Sequence, residues 1–288
     1  MMKKSWLAYL TLSGAVLSIS CAFVGAIQPQ QGQEAARSES ACCENNRYSV
    51  HRRGRQLASH CEVKEQTLQP AAGGTISVDG RQNGGVRING WERGDILVRA
   101  CIQTAADTEA EARELAAQLR VQTTGAQIRA EGPENSEDRS WSVSFEVFVP
   151  HESNLSLQTH NGGIRIDDVR GQIKFAASNG GVSLKALGGS VRGSTTNGGL
   201  SIDLAGNSWN GEGLDVRATN GGVKMSVPEN YSARLETGTV NGGLQVDFPV
   251  TVQGRINKEL SFTLGSGGSM VRALTTNGGV VIKRKAAE

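Results

Sequence analysis

An all-β fold wound as a β-solenoid (β-helix- or β-roll-like), about 18 residues to the coil with one short α-helix inserted near 108–119, is what this sequence predicts. Three observations lead there. Asn-Gly-Gly recurs seven times, beginning at Asn83, Asn161, Asn179, Asn197, Asn220, Asn241 and Asn277. Each triplet is followed by an apolar-x-apolar pair, from Val86/Ile88 and Ile164/Ile166 to Leu244/Val246 and Val280/Ile282. Leading apolar residues also return every nine positions through Leu155, Ile164, Ile173, Val182, Val191 and Leu200.

A nine-residue module holds one strand and one turn, and period-2 alternation sends one side of each strand inward. Two modules close a coil, and stacked coils pair each strand with its equivalent one coil along. The intervals between triplets are 78, 18, 18, 23, 21 and 36. Recurrence at 18 favours a coil with two unlike corners over a meander of hairpins, for which Asn-Gly is also a signal. The triplet is expected to supply positive φ angles at its corner. Its asparagines are expected to stack into a hydrogen-bonded ladder.

In chain order, residues 1–26 read as a signal peptide. Lys3 and Lys4 form the charged end, an apolar run extends from Trp6 to Ala26, and Val24-Gly25-Ala26 suits cleavage before Ile27. Cys21 marks a second route, lipidation after cleavage in front of it. An uncleaved anchor is a third route, disfavoured by the hydroxyls and marginal length of the run, and all three put the remainder outside the cytoplasm. Residues 27–60 read as a polar linker. The five cysteines are Cys21, Cys42, Cys43, Cys61 and Cys101. In an oxidising compartment Cys42 or Cys43 pairs with Cys61, and spacing alone does not choose between them. Zinc is disfavoured, because there is no C-x-x-C and adjacent Cys42-Cys43 is poor ligand spacing. From Thr108 to Leu119 the pattern is helical, with a capping box from Thr108 to Glu111. Trp141, Val143, Phe145, Val147 and Val149 then alternate through a long strand ending at Pro150.

Composition narrows the function classes. Lys+Arg number 30 and Asp+Glu 28, and Lys3 with Lys4 supply the surplus, so the rest is neutral. A nucleic-acid binder would carry a basic excess, so no nucleic-acid partner is expected. No G-x-S-x-G, H-E-x-x-H or P-loop occurs, and no catalytic residue, cofactor or metal site is expected. Asp167, Asp203 and Asp247 each lie six after a triplet Asn. The other four repeats place Asn89, Lys185, Ser226 and Lys283 there, which breaks a calcium ladder. Asp167-Asp168 with Arg165 and Arg170 is the nearest approach to a lyase cluster and reads as a charged outer face. Arg93-Gly94-Asp95 reads as turn chemistry. Trp91, Trp209 and Tyr231 are spread along the chain and read as packing rather than sugar platforms.

The run GGVRINGWERGDILVRACIQTAADTEAEARELAAQLRV, then WSVSFEVFVP, then the repeats, resembles the bacterial "putative adhesin" domain family, an envelope-associated domain of unknown function. The resemblance covers roughly residues 61–285, taken as one domain. It implies a β-solenoid, an extracytoplasmic location in the periplasm, envelope or medium, and no set of catalytic residues. The expected function is non-enzymatic binding or scaffolding in the cell envelope. The partner would be an envelope component, polysaccharide or surface protein, with membrane contact only through the N-terminal signal or lipid anchor. Two alternatives are a periplasmic accessory of an envelope-stress response that binds a protein, and a polysaccharide-active enzyme.

Overall fold

The structure, a computed structural model, describes residues 43, 51–52, 55–247 and 258–286. The expected signal peptide 1–26 with Cys21, the residues 27–42 of the expected linker, and Cys42 lie outside the described residues. The strands in chain order are β1 (His51–Arg52), β2 (Arg55–Gln56), β3 (Ala58–Leu68), β4 (Thr75–Asp79), β5 (Val86–Trp91) and β6 (Ile96–Ala106). After helix α1 (Glu109–Gln118) come β7 (Arg120–Gln122), β8 (Gln127–Glu131), β9 (Ser140–Pro150), β10 (Asn154–Thr159), β11 (Ile164–Asp167), β12 (Arg170–Ala177) and β13 (Val182–Lys185). The chain ends with β14 (Gly188–Thr195), β15 (Leu200–Asp203), β16 (Gly213–Asn220), β17 (Val223–Pro228), β18 (Ala233–Asn241), β19 (Leu244–Val246), β20 (Glu259–Leu264), β21 (Met270–Asn277) and β22 (Val280–Lys285).

Two ten-stranded sheets face one another, and successive strands alternate between them through the repeats. The first runs β20-β18-β21-β16-β14-β12-β10-β4-β8-β7, the second β19-β22-β17-β15-β13-β11-β5-β9-β6-β3. The body of each sheet is parallel and solenoid-like. In the first, Leu155 pairs with Ile173, Ile173 with Val191, and Val191 with Leu214. In the second, Ile164 pairs with Val182, Val182 with Leu200, and Leu200 with Val223. These are the leading apolar residues of the repeat, and each row is buried. Branched aliphatic side chains suit such stacking, because a strand covered on its inner face packs like on like at about 4.8 Å.

One core position is filled from its neighbour. Gly193 on β14 sits beside Phe175 on β12, and a Cβ at Gly193 would lie 2.5 Å from that ring. The large residue occupies the space that the small one leaves.

The order of coils departs from the expectation that each strand pairs with its equivalent one coil along. The β21–β22 coil lies between the β16–β17 coil and the β18–β19 coil, which precedes it in the chain. Likewise β4 and β5 lie between β10–β11 on one side and β8–β9 on the other. The physical reason is at the ends. β20 returns antiparallel on β18, while β6 and β7 return antiparallel on β9 and β8. Such reversals cover open sheet edges. The slot left one coil inside each end is filled by a strand pair from elsewhere in the chain.

The helix forms where the capping box predicts. Thr108 Oγ1 accepts from Glu111 N at 3.2 Å, and the Glu111 carboxylate accepts from Thr108 N at 3.1 Å. Ala112, Leu115 and Ala116 are buried against β3 and β6. Thr104 on β6 donates to the Ala112 carbonyl at 2.7 Å and ties helix to sheet. Residues 51–60, read from composition as the end of the linker, contribute β1, β2 and the start of β3. Cys43 bonds Cys61 on β3, with Cα atoms 5.9 Å apart, and Cys101 on β6 is disulfide-bonded as well.

A second correction concerns the triplet glycines. Among the described residues only Gly278 of the triplets has a φ in the positive region, at 159°, on the border of extended backbone. Left-handed residues also occur at the opposite corner, where Asp168 has φ 55° and Ala186 φ 52°, while at the triplet corner Arg81, ahead of Asn83, is left-handed at φ 52°. The triplet corner needs glycine for a different reason, close approach of the neighbouring coil.

Candidate functional site

The most regular surface feature is the triplet corner. Strand pairing continues through it: Asn161 N donates to the Gln82 carbonyl at 2.9 Å, Asn179 N to His160 at 2.6 Å and Asn197 N to Ser178 at 2.7 Å. Equivalent asparagines therefore sit one strand spacing apart, about 4.8 Å. Their side chains join into an unbroken ladder. Asn161 Nδ2 donates to Asn83 Oδ1 at 3.1 Å, Asn179 to Asn161 at 2.8 Å, and Asn197 to Asn179 at 2.7 Å. Then Asn220 donates to Asn197, Asn277 to Asn220 and Asn241 to Asn277, each at 2.8 Å. All seven are exposed. The inserted last coil puts Asn277 between Asn220 and Asn241, an order that sequence spacing does not contain.

The backbone beneath the ladder is tight. A Cβ on Gly162 would overlap the Gly84 carbonyl, one on Gly180 the Gly162 carbonyl, and one on Gly198 the Gly180 carbonyl. Threonines brace the same carbonyls from inside. Thr159 donates to Gly84 O at 2.6 Å, Thr195 to Gly180 O at 2.7 Å, Thr275 to Gly221 O at 2.6 Å and Thr239 to Gly278 O at 2.8 Å. The sequence reading missed these threonines. Their signal is present as Thr-x-Asn-Gly-Gly, with Thr two residues before Asn161, Asn197, Asn241 and Asn277. Ala177 and Ala218 occupy the equivalent positions in the remaining parallel strands.

A row of small polar residues precedes the ladder: His160, Ser178, Thr196, Thr219 and Thr276, with the exposed Val240 at the far end. At the near end the turn Gly80–Asn83 separates two clefts. One, of about 440 Å³, is lined by residues including Asp79, Arg81, Gln158, His160 and Ser178. The other, of about 210 Å³, is lined by residues including Gln82, Asn83, Glu134, Asn135 and Trp141. Arg81 has φ 52°, and its N donates to Asp79 Oδ1 at 2.7 Å, which stiffens the turn between them. Ridge and clefts offer hydrogen-bond donors and acceptors in a line.

The other sequence candidates do not gather here. Asp167 Oδ2 accepts from Arg165 at 2.6 Å, whereas the Asp168 carboxylate turns toward His151 at 3.5 Å, so the two carboxylates have separate partners. Asp167 and Asp203 flank Lys185 in register, which puts a cation where a calcium ladder needs an anion. Among the described residues no three metal-ligating side chains cluster. Within Arg93-Gly94-Asp95, Arg93 Nε donates to Asp95 at 2.9 Å and its guanidinium lies 4.4 Å over the Trp91 ring. That hydrogen bond from Arg93 holds the Asp95 carboxyl below the usual carboxylate range. Trp209 and Tyr231 are buried. The Trp209 indole donates to Gly189 O at 2.9 Å, and burial pushes the Tyr231 phenol pKa up.

A family model described as Toastrack DUF4097 matches residues 55–283. No curated protein matches this chain. Among solved structures, a "putative cell adhesion protein" from Clostridium sporogenes is 12% identical, with a TM-score of 0.41 over 78% of this chain and 100% of its own. A "putative adhesin" from Bacteroides fragilis is 8% identical, with a TM-score of 0.33 over 78% and 97% of the two chains. A "putative lipid binding protein" from Parabacteroides distasonis is 12% identical, with a TM-score of 0.26 over the same shares.

Proposed function

This chain belongs to the Toastrack DUF4097 family, and from that premise we propose that it is a non-enzymatic binding or scaffold protein of the cell envelope, gripping a hydroxyl-rich polymer along the asparagine ridge. The observation that carries the reading is the unbroken seven-asparagine ladder. Each Asn amide has two N–H groups and an acceptor with two lone pairs. The ladder uses one of each along its interior. The rest form a rigid row of donors and acceptors at strand spacing, beside the hydroxyls of Thr196, Thr219 and Thr276. Rigidity matters, because side chains already ordered by their neighbours lose little entropy on binding. A sugar polymer lying along the solenoid axis would meet this row.

A place outside the cytoplasm is part of the proposal. The Cys43–Cys61 disulfide fits an oxidising compartment. The separate partners of Asp167 and Asp168 favour binding over polysaccharide cleavage.

The test is co-sedimentation of the purified protein with isolated envelope fractions and insoluble polysaccharides, with reducing ends measured in the supernatant. Saturable pelleting without new reducing ends, weakened at least tenfold by Asn179→Ala with Asn197→Ala, is the expected result. New reducing ends would replace the binding reading with an enzyme. Failure to pellet with every fraction would move the function to a soluble periplasmic protein partner.

A further inference from the structure

The outer face of the first sheet carries a second feature, apart from the ridge. Lys174 on β12 pairs in register with Arg192 on β14, and Arg192 with Asp215 on β16. Two residues along β16 stands Arg217, and Asp215 pairs with Arg272 on β21. Four cations thus occupy four adjacent strands. Two carboxylates oppose them, and both are engaged by one arginine. Arg272 makes two hydrogen bonds to Asp215, at 3.1 and 2.6 Å, and lies 3.8 Å from Glu236 on its other side. Arg217 reaches Asp215 at only 3.7 Å. Lys174 and Arg192 make no ion pair among the described residues, and both are exposed.

The second sheet treats charge differently. There Asp167, Lys185 and Asp203 alternate in sign across three strands. Among the described residues its one like-charged register pair, Arg87 beside Arg165, has an acid for each member, Glu146 at 3.7 Å and Asp167 at 2.6 Å. Lys174 beside Arg192 has less relief: Arg192 faces Asp215, which Arg272 already binds, and Lys174 faces Ser156 on its other side. Like-charged neighbours destabilise a sheet. Positive charge here exceeds the acid that faces it, which leaves room for a further counter-charge.

We infer that Lys174, Arg192 and Arg217 form a binding track for an extended polyanion, a polymer bearing carboxylate or phosphate groups at intervals comparable to the strand spacing. Guanidinium forks match both groups in bidentate geometry. Asp215, bound by Arg272, stands beside Arg192 in register and 3.7 Å from Arg217, so one carboxylate faces three guanidinium groups. The face fits a polymer better than a bilayer, since no large exposed hydrophobic residue flanks the track; Val240 is the only such residue among the described ones, and it lies at the ridge. The inference does not depend on the ridge reading, because the track and the asparagines are different residues.

Binding of the full chain to polygalacturonate and to polyphosphate, with neutral dextran and anionic phospholipid vesicles as comparison arms, tests it by titration calorimetry and vesicle pelleting. Three contacted charges predict that affinity falls roughly 20- to 40-fold between 50 and 200 mM salt, by analogy with counterion release from nucleic acids. R192A/R217A should lose at least tenfold in affinity, and Lys174→Glu alone should lose a comparable amount without touching Asp215. Lys224→Ala, which removes an exposed cation from β17 on the other sheet, should bind either polymer as the unaltered chain does. Binding of only one polymer identifies the anion as carboxylate or phosphate and supports the track. Binding of neither polymer, equal binding by R192A/R217A, or binding to vesicles without either soluble polymer would overturn it.

Discussion

At the scale of single residues, the triplet corner depends on the absence of a Cβ rather than on an unusual φ. That distinction separates two glycines that look alike in sequence. At Gly180 a methyl group would overlap a carbonyl of the next coil, whereas at Gly243, on the outermost coil, nothing lies within 4 Å of the added atom. Gly180→Ala should therefore destabilise by about 3 kcal/mol or more, as expected of an unrelieved overlap. Gly243→Ala should change stability by less than about 0.5 kcal/mol. Urea unfolding midpoints would check both, and equal losses would contradict the steric account. The bracing threonines make an opposite kind of prediction. Ala177 and Ala218 stand where Thr159, Thr195, Thr275 and Thr239 donate to glycine carbonyls. Ala177→Thr should add the missing bond and stabilise by about 1 kcal/mol, raising the melting temperature by about 2–4 °C. Thr195→Val, which strands the Gly180 carbonyl, should lower it by a similar or larger amount. An Ala177→Thr variant that melts lower would show that the site has no room for a hydroxyl.

At the scale of elements, cross-strand pairs do what local propensity does not. The second-sheet strands of the repeat are short, four residues in β11, β13 and β15 against eight in β12, β14 and β16, so their stability comes from neighbours on either side. On the outer face the Asp215–Arg272 pair joins β16 to β21, the inserted strand. The hydrogen bonds from Arg272 hold the Asp215 carboxyl below its ordinary value, with burial opposing and the nearby Arg217 and Arg192 assisting. A depressed carboxylate pKa lends stability that is fully present above the unfolded value, about 3.9, and is lost as pH falls through the folded value. The stability difference between the unaltered chain and Asp215→Asn should be largest near pH 6 and shrink as the pH falls below the unfolded value, about 3.9, toward pH 2. Thermal melts at the two pH values measure it, and a difference that grows on acidification would refute the assignment.

At the scale of the whole molecule, the out-of-order coils make the carboxy-terminal segment structural rather than terminal. In a simple solenoid the last coil leaves without disturbing the others, because stability is a sum over nearest neighbours. Here β21 and β22 lie between two coils that precede them. Deleting residues 270–288 should therefore strip hydrogen-exchange protection from β18, β19 and β20 while β10 to β15 keep theirs. Unchanged protection in β18 would mean that the terminal coil can pair directly with β16. The same topology implies slow assembly, since β4 pairs with β10 across a separation of 79 residues, Ile76 against Leu155.

The sequence by itself determined the local and repetitive part of this protein. Period-2 alternation marked the inward residues. The seven triplets marked one corner, and Thr108 to Glu111 marked the helix start, because each signal is carried by residues close together in the chain. The tertiary structure decided which coil lies next to which, why the glycines are there, and where the charges collect. Asn277 enters the ladder between Asn220 and Asn241 because a sheet edge was closed by reversal and a slot remained to be filled. Lys174, Arg192 and Arg217 are unremarkable in composition and become one surface only when parallel register sets their strands side by side. Pairing partners far apart in sequence compete on packing and edge coverage, and those energies exist only once the chain has folded.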